Sequence, residues 1–250
     1  MIPAPLKGIF EFSALTGRTL WACVTPPFRW RDVIRHIDTM AVDSLFIICF
    51  CVCAAAMVTI LEASFHMKLL IQNDSMVPGF AAMLILRELG AVVMALLVTS
   101  RTGAGMAAEV GTMQVTEQID AIRMLGLDPI RFLVAPRFIA SAIAGAILSL
   151  CANIVCLVAA MGVSMLKLGY TAGAFSSMAR PFLSMQDLWF AIIKGTLFCA
   201  VIPLFSCFFG FRCRSGAEGV GMATTNAVVA TSIAIIVLDF GLSFLFTSFY

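Results

Sequence analysis

Charged side chains are scarce in this sequence: Asp, Glu, Lys and Arg together make up 12% of its 250 residues, whereas 61% are hydrophobic. A water-soluble domain needs a polar exterior, and this composition excludes one. A helix that crosses a bilayer needs about 20 mostly apolar residues, and several runs of that length are present. We therefore predict an all-α membrane protein that crosses the bilayer several times.

Metal-binding side chains are also rare, since His36 and His66 are the two histidines. The spacing Cys49-x-Cys51-x-Cys53 resembles a zinc motif, but zinc sites usually need a second pair of ligands. We interpret the nine cysteines as small residues packed in apolar surroundings and predict no metal site. The net charge of +2 also argues against a nucleic-acid partner.

Catalytic motifs are missing as well. The sequence has no GxxxxGK[ST] phosphate loop, no G-x-S-x-G elbow and no HExxH pair. We therefore expect no catalytic residues, and no ATP hydrolysis through a phosphate loop in this chain. The N-terminus lacks a basic start followed by an apolar core, so we expect no cleavable signal peptide.

Hydropathy divides the chain into two parts. Residues 1–40 are amphipathic, and Pro26-Pro27 should break any helix. Over 28–37, aromatic and basic residues recur at helical spacing, which is typical of a helix in the headgroup plane. Residues 41–250 form a domain with five transmembrane helices, which we predict at 44–66, 76–100, 138–166, 188–211 and 222–246. Between them we expect a polar loop over 167–187 and a tight turn at Gly216, Gly219 and Gly221.

Basic residues predict the orientation, because cytoplasmic loops carry an excess of Lys and Arg. If the N-terminus is cytoplasmic, the outer side keeps only Lys68, Lys167 and Arg180. The cytoplasmic side then holds the other loop cations: Lys7, Arg18, Arg29, Arg31, Arg35, Arg101, Arg123, Arg131, Arg137, Arg212 and Arg214. We predict a cytoplasmic N-terminus and a C-terminus on the outer side.

Four charged residues fall well inside the predicted transmembrane helices: Arg87, Glu88, Lys194 and Asp239. Glu62 lies near the outer end of the first helix, where its side chain can reach water. Charged residues deep in a bilayer are costly and are functional candidates by default. We predict that one of Arg87 and Glu88 faces a substrate cavity while the other pairs with a neighbouring helix; a purely structural ion pair with Lys194 or Asp239 is the alternative. We expect Lys194 to reach towards the outer interface, and Asp239 to need a partner.

The segment 101–137 connects the second and third predicted transmembrane helices. It opens with a stripe of small residues, Gly103, Ala107 and Gly111, which allows close helix packing. A short amphipathic helix follows, with Val115, Ile119, Ile122 and Leu125 on one face. We expect a stop at Gly126 and a new helix after Asp128-Pro129. Such a helix can transmit force from a soluble partner or can be an ordinary connection.

The blocks RELGAVVMALLVTSRTGAGMAAEVGTMQVTEQIDAIRMLGLDPIRFLVAPR and RSGAEGVGMATTNAVVATSIAIIVLDF resemble the MlaE (YrbE-type) permeases of bacterial ABC lipid transporters. The resemblance covers most of residues 28–246. It departs from the family at Ala91, where RELGP is usual, so the second transmembrane helix should bend less.

The resemblance implies an N-terminal interfacial helix, five transmembrane helices and a homodimer in a bacterial inner membrane. It implies a cytoplasmic ABC ATPase that binds ATP and Mg²⁺, a periplasmic MCE lipid-binding protein and a STAS-domain protein. The substrate would be phospholipid, moved between inner and outer membranes. The residues implied in ATPase coupling are Glu117, Asp120, Arg123, Asp128 and Arg131.

Three other functions fit the residues. An ion-coupled secondary transporter could use Arg87, Glu88 and Asp239. An intramembrane enzyme acting on lipid would need a nucleophile–base pair, which the sequence does not display. A scaffold without a transport role is the third.

Overall fold

The computed structural model describes residues 4–25, 29–70, 76–214 and 216–249. Every regular element in these ranges is helical, and five helical runs are long and apolar enough to cross a membrane. The prediction of an all-α protein with an N-terminal helix and five transmembrane helices is therefore confirmed. The Pro26-Pro27 break lies outside the described residues, as do the side chains of Lys7 and Lys68.

We label the helices in chain order. They are α1 (Ala4–Val24), α2 (Trp30–Met67), α3 (Val77–Val115), α4 (Gln118–Met124), α5 (Ile130–Lys167), α6 (Ala172–Ala179), α7 (Met185–Phe211) and α8 (Gly216–Phe249). The transmembrane helices are α2, α3, α5, α7 and α8. Helix α2 runs through residue 40 without a break, so the predicted boundary there lies inside a helix that is π-helical over Asp38–Val42.

The core lies between α2, α3, α5 and α7, where large side chains such as Ile60, Ile85, Met94 and Leu148 are fully buried. Helices α5 and α7 approach most closely at glycines. A Cβ on Gly145 would lie 2.5 Å from the Gly195 carbonyl oxygen, and a Cβ on Gly195 would lie 2.3 Å from Ser149 Cβ. Helix α8 lies at the edge of the bundle and buries the smallest share of its apolar stretch.

The second transmembrane helix is longer than predicted. Helix α3 continues to Val115, so the first fifteen residues of the predicted connector are helical. The physical reason is packing. Gly210 of α7 lies against Val110, and a Cβ on Gly111 would lie 3.6 Å from the Val220 side chain. The small-residue stripe therefore extends the helix instead of ending it.

Two predicted loops are also wrong in part. Residues 167–187 contain α6 and a 3-10 turn at Arg180–Phe182. Residues 216–221 belong to the first turns of α8, so there is no tight turn at these glycines. Glycine has a low helix propensity, but the packing of Val220 against Gly111 offsets it. Likewise α5 begins at Ile130, before the predicted start at residue 138.

Candidate functional site

Three of the ionisable residues predicted inside the membrane meet, together with Ser243, in one cluster around a buried lysine. We call it the Lys194 cluster: Glu88, Lys194, Asp239 and Ser243. Lys194 on α7 is fully buried, and its Nζ lies 2.9 Å from Glu88 Oε2 and 2.6 Å from Asp239 Oδ1. Ser243 of α8 donates to Glu88 Oε1 and lies 2.8 Å from Lys194 Nζ. The cluster thus joins α3, α7 and α8.

The backbone of α3 helps to hold this cation. Residues Ile85–Leu89 are π-helical, and the Gly90 N–H bonds to the Ile85 carbonyl five residues earlier. Lys194 Nζ donates to the Arg87 carbonyl oxygen at 3.0 Å. A π-helical turn inside an α-helix shifts the hydrogen-bond register and is frequent at functional sites. Here it brings a main-chain acceptor to the ammonium, which would otherwise be costly to bury.

Arg87 pairs on another side of α3. Its Nε donates to Asp187 Oδ1 at 2.7 Å, and Asp187 is fully buried. Asp187 also accepts from the Ser184 backbone N–H and hydroxyl, forming a capping box at the start of α7. Sequence reasoning missed Asp187, although the pattern Ser184-x-x-Asp187 before an apolar run is a helix-start signature.

Both members of the Arg87-Glu88 pair therefore contact other helices, which fits the structural ion-pair alternative as well as a cavity role. Their side chains keep some access, 26% for Arg87 and 44% for Glu88. The expectation that Lys194 reaches the outer interface is wrong, because two carboxylates and a carbonyl hold it in the interior. The expected partner for Asp239 is present. The substrate role of Arg87 and Glu88 stays a prediction.

The short connecting helix is shorter than predicted. Helix α4 begins after Glu117, which adopts a left-handed conformation with φ 59°, so Val115 belongs to α3 instead. Ile119 is fully buried and Leu125 is 76% exposed. Gly126 has φ 76°, and its N–H bonds to the Arg123 carbonyl, which confirms the predicted stop.

The predicted coupling residues lie together on the exposed surface around α4, and four of them make side-chain contacts: Asp120, Arg123, Asp128 and Arg131. Asp120 pairs with Arg123 at 2.8 Å. Asp128 caps the next helix by accepting from the Ile130 N–H, and it pairs with Arg18 of α1 at 3.0 Å.

Two further contacts complete this surface. Arg131 donates to the Thr25 carbonyl oxygen. Within the described residues, the Glu117 side chain has no hydrogen bond or ion pair. Through the Arg18–Asp128 ion pair, helix α1 thus supports the α4 surface. The sequence alone did not predict this contact.

The end of the bundle that carries α4, which we call the connector end, also gathers most of the basic residues. Arg212 pairs with Glu11 of α1, Arg29 lies 3.9 Å above the Phe132 ring, and Arg101 donates to the Asp43 carbonyl. This grouping at one end agrees with the pattern from which we predicted the orientation.

The described residues contain no group of His, Cys, Asp or Glu that could hold a metal ion. The cysteines are free thiols. Burial raises the pKa of the Cys23 thiol on α1, so this thiol stays protonated near neutral pH.

Comparison with known proteins identifies the family. The family Permease MlaE matches residues 33–245. A protein named "Probable ABC transporter permease protein" from Rickettsia prowazekii is 32% identical over 238 residues, which is 95% of this chain and 90% of that protein.

Two further relatives cover most of this chain. The "Intermembrane phospholipid transport system permease protein MlaE" of Haemophilus influenzae is 31% identical over 93% of this chain and 87% of its own length. The chloroplastic protein TRIGALACTOSYLDIACYLGLYCEROL 1 of Arabidopsis thaliana is 32% identical over 93% of this chain and 66% of its own length. With its five membrane-spanning helices, the chain belongs to the MlaE permease family.

Proposed function

We propose that this permease is the transmembrane subunit of an ATP-driven ABC transporter that moves phospholipid between the inner and outer membranes of a bacterium. The observation that carries the proposal is the exposed, charged α4 surface, anchored to the bundle by the buried Ile119. The name of the Haemophilus influenzae relative supports phospholipid as the substrate.

In this mechanism a separate cytoplasmic ATPase binds ATP and Mg²⁺ and docks on Glu117, Asp120, Arg123, Asp128 and Arg131. Closure of the ATPase pushes on α4. Because Gly126 ends α4 and Asp128 caps the start of α5, the push passes directly into a transmembrane helix. Through Arg18, the same push reaches α1.

The substrate cavity would lie beside α3, with Arg87 and Glu88 at its wall. An arginine can bind a lipid phosphate through paired N–H groups. The partly exposed Arg87 side chain could therefore recognise the headgroup during passage. Lys194 and Asp239 would hold Glu88 in place.

We further propose a homodimer in the inner membrane with a cytoplasmic N-terminus and a periplasmic C-terminus. The outward apolar side chains of α8, including Ile233, Ile236 and Phe240, favour a partner helix or lipid on that face. A periplasmic MCE protein and a STAS-domain protein would complete the assembly.

Charge reversal on α4 tests the coupling role. The double variant Glu117→Lys with Asp120→Lys should lose the ATPase during co-purification, because both side chains are exposed and the docking charges change sign. The matched control reverses Asp38 and Glu218, two exposed acids outside α4. Intact co-purification with the α4 variant would count against the coupling role.

An ion-coupled secondary transporter is the second candidate, favoured by one observation. The ion pairs within the bundle combine two cations, Arg87 and Lys194, with three carboxylates, Glu88, Asp187 and Asp239. An excess carboxylate can carry a proton when its neighbours rearrange. Dependence of transport on a proton gradient instead of ATP would favour this candidate.

A further inference from the structure

The connector end contains a polar cavity that the proposed transport mechanism does not use. Its volume is about 460 Å³, and it lies between the start of α2, Glu109 of α3 and the start of α5. Its lining includes three arginines, Arg29, Arg35 and Arg137, against two carboxylates, Asp32 and Glu109. His36 also borders it.

Arg137 is the unusual member of this lining, because its side chain is only 2% exposed. Its Nη2 lies 2.8 Å from Glu109 Oε2, and among the described residues its buried Nε and Nη1 have no oxygen or nitrogen acceptor. The Cys207 thiol lies beside it, and a thiol is a weak acceptor. A buried guanidinium with two nitrogen atoms that lack a strong acceptor is costly and calls for a further acceptor.

The other two arginines differ in whether their side chains already have a partner. Arg29 is held by Asp32 at 2.8 Å and by the Phe132 ring. Arg35 is exposed, and within the described residues its side chain has no hydrogen bond or ion pair. The cavity thus combines a buried arginine that lacks acceptors, Arg137, with an exposed arginine that has no ion pair, Arg35. Two such arginines can bind an anion with several oxygen atoms.

We propose that this cavity binds the phosphate group of an anionic phospholipid headgroup in the membrane leaflet at the connector end. The same helix that supplies Arg35 exposes Trp30 by 57% and Ile34 by 64%, as expected of a helix at the headgroup level. The phosphate sits between Arg35 and Arg137 and competes with Glu109 for the Arg137 guanidinium. The site is separate from Arg87 and Glu88, and it does not depend on the transport proposal.

Native mass spectrometry of the full chain in uncharged detergent tests this site. Phosphatidylglycerol, phosphatidylcholine and inorganic phosphate serve as the three probes. We expect selective retention of phosphatidylglycerol. Arg35→Gln should weaken that retention by about fivefold to tenfold, because a charge-assisted hydrogen bond is lost.

Two variants make the test specific. Arg31→Gln is the matched control, since Arg31 is an exposed arginine on the same helix outside the cavity lining, and it should leave binding unchanged. Glu109→Gln should tighten binding, because the competing carboxylate becomes neutral while an amide oxygen still faces Arg137. Both changes fall on exposed side chains, and thermal unfolding checks that each variant is folded.

Distinct outcomes overturn the proposal. Equal losses in Arg35→Gln and Arg31→Gln would indicate general attraction of anions to a basic surface. Displacement of phosphatidylglycerol by millimolar inorganic phosphate would assign the site to free phosphate instead of a lipid. If none of the three probes binds selectively, Arg137 serves the fold alone, or its spare donors bind an acidic side chain of a soluble partner.

Discussion

The Lys194 ammonium lies between the carboxylates of Glu88 and Asp239, 2.9 Å from one and 2.6 Å from the other. This single cation joins three transmembrane helices. A charge buried at membrane depth is stable only when it is paired, so the three side chains depend on one another.

Replacement of the cation should therefore be severe. Lys194→Met leaves Glu88 and Asp239 without a counter-ion, and we expect a loss of about 3–5 kcal/mol in the free energy of unfolding. Thermal unfolding in detergent measures it. Lys167→Met, at an exposed position at the end of α5, is the control and should change little.

The same argument predicts a rescue. Adding Glu88→Gln and Asp239→Asn to Lys194→Met removes the uncompensated charges and should restore much of the lost stability. A triple variant no more stable than Lys194→Met would contradict the ion-pair account.

Close packing of α5 against α7 predicts a second outcome. A Cβ on Gly195 would lie 2.3 Å from Ser149 Cβ, so Gly195→Ala should cost about 1–3 kcal/mol. Around Gly162 of α5, no neighbouring atom of the described residues outside the local helix backbone lies within 4 Å of the Cβ position. Gly162→Ala should therefore stabilise by about 0.5–1 kcal/mol. Similar unfolding temperatures for the two variants would show that the helices can move apart.

Ala91 stands where the resemblance to MlaE-type permeases leads us to expect a proline. A proline there removes the N–H that would bond to the Arg87 carbonyl, but Lys194 Nζ already donates to that oxygen. We therefore expect Ala91→Pro to cost less than the roughly 3 kcal/mol typical of a helix interior.

Ala95 supplies the matched control for this prediction, because it lies on α3, is equally buried and packs in the same small cluster. Ala95→Pro should show the full penalty, measured by the yield of folded protein and the unfolding temperature. An Ala91→Pro variant as damaged as Ala95→Pro would remove the Lys194 contact from the explanation.

The left-handed backbone conformation of Glu117 leads to a fourth prediction. Asparagine tolerates this conformation, so Glu117→Asn should leave stability unchanged, whereas the β-branched Glu117→Val should cost about 1–2 kcal/mol. Unfolding in detergent separates the two variants. Equal stability would mean that this turn relaxes easily.

The transmembrane helices and their number follow from hydropathy, since each apolar run is long enough to cross the bilayer. Their ends do not, because they depend on packing that a single chain's sequence does not display. Gly103, Ala107 and Gly111 illustrate this: their small side chains permit close contact, but the helices on which they pack, α7 and α8, lie about a hundred residues away.

The buried charges were recognisable one by one, but their pairing was not. Lys194 could be assigned to the interface or to the interior until α3 and α8 were placed beside α7. Asp187 was missed because it stands at a predicted boundary, where an acidic residue is ordinary. Glu109 and Arg137 were likewise too far apart in the sequence to suggest an ion pair.

Reconstitution tests the central claim, that ATP drives this permease. The full assembly is placed in vesicles, and transfer of a fluorescent phospholipid is followed with ATP, without ATP, and with an ionophore that collapses the proton gradient. We predict transfer that needs ATP, persists with the ionophore and is lost with Glu117→Lys and Asp120→Lys. Transfer that stops with the ionophore and continues without ATP would contradict the account.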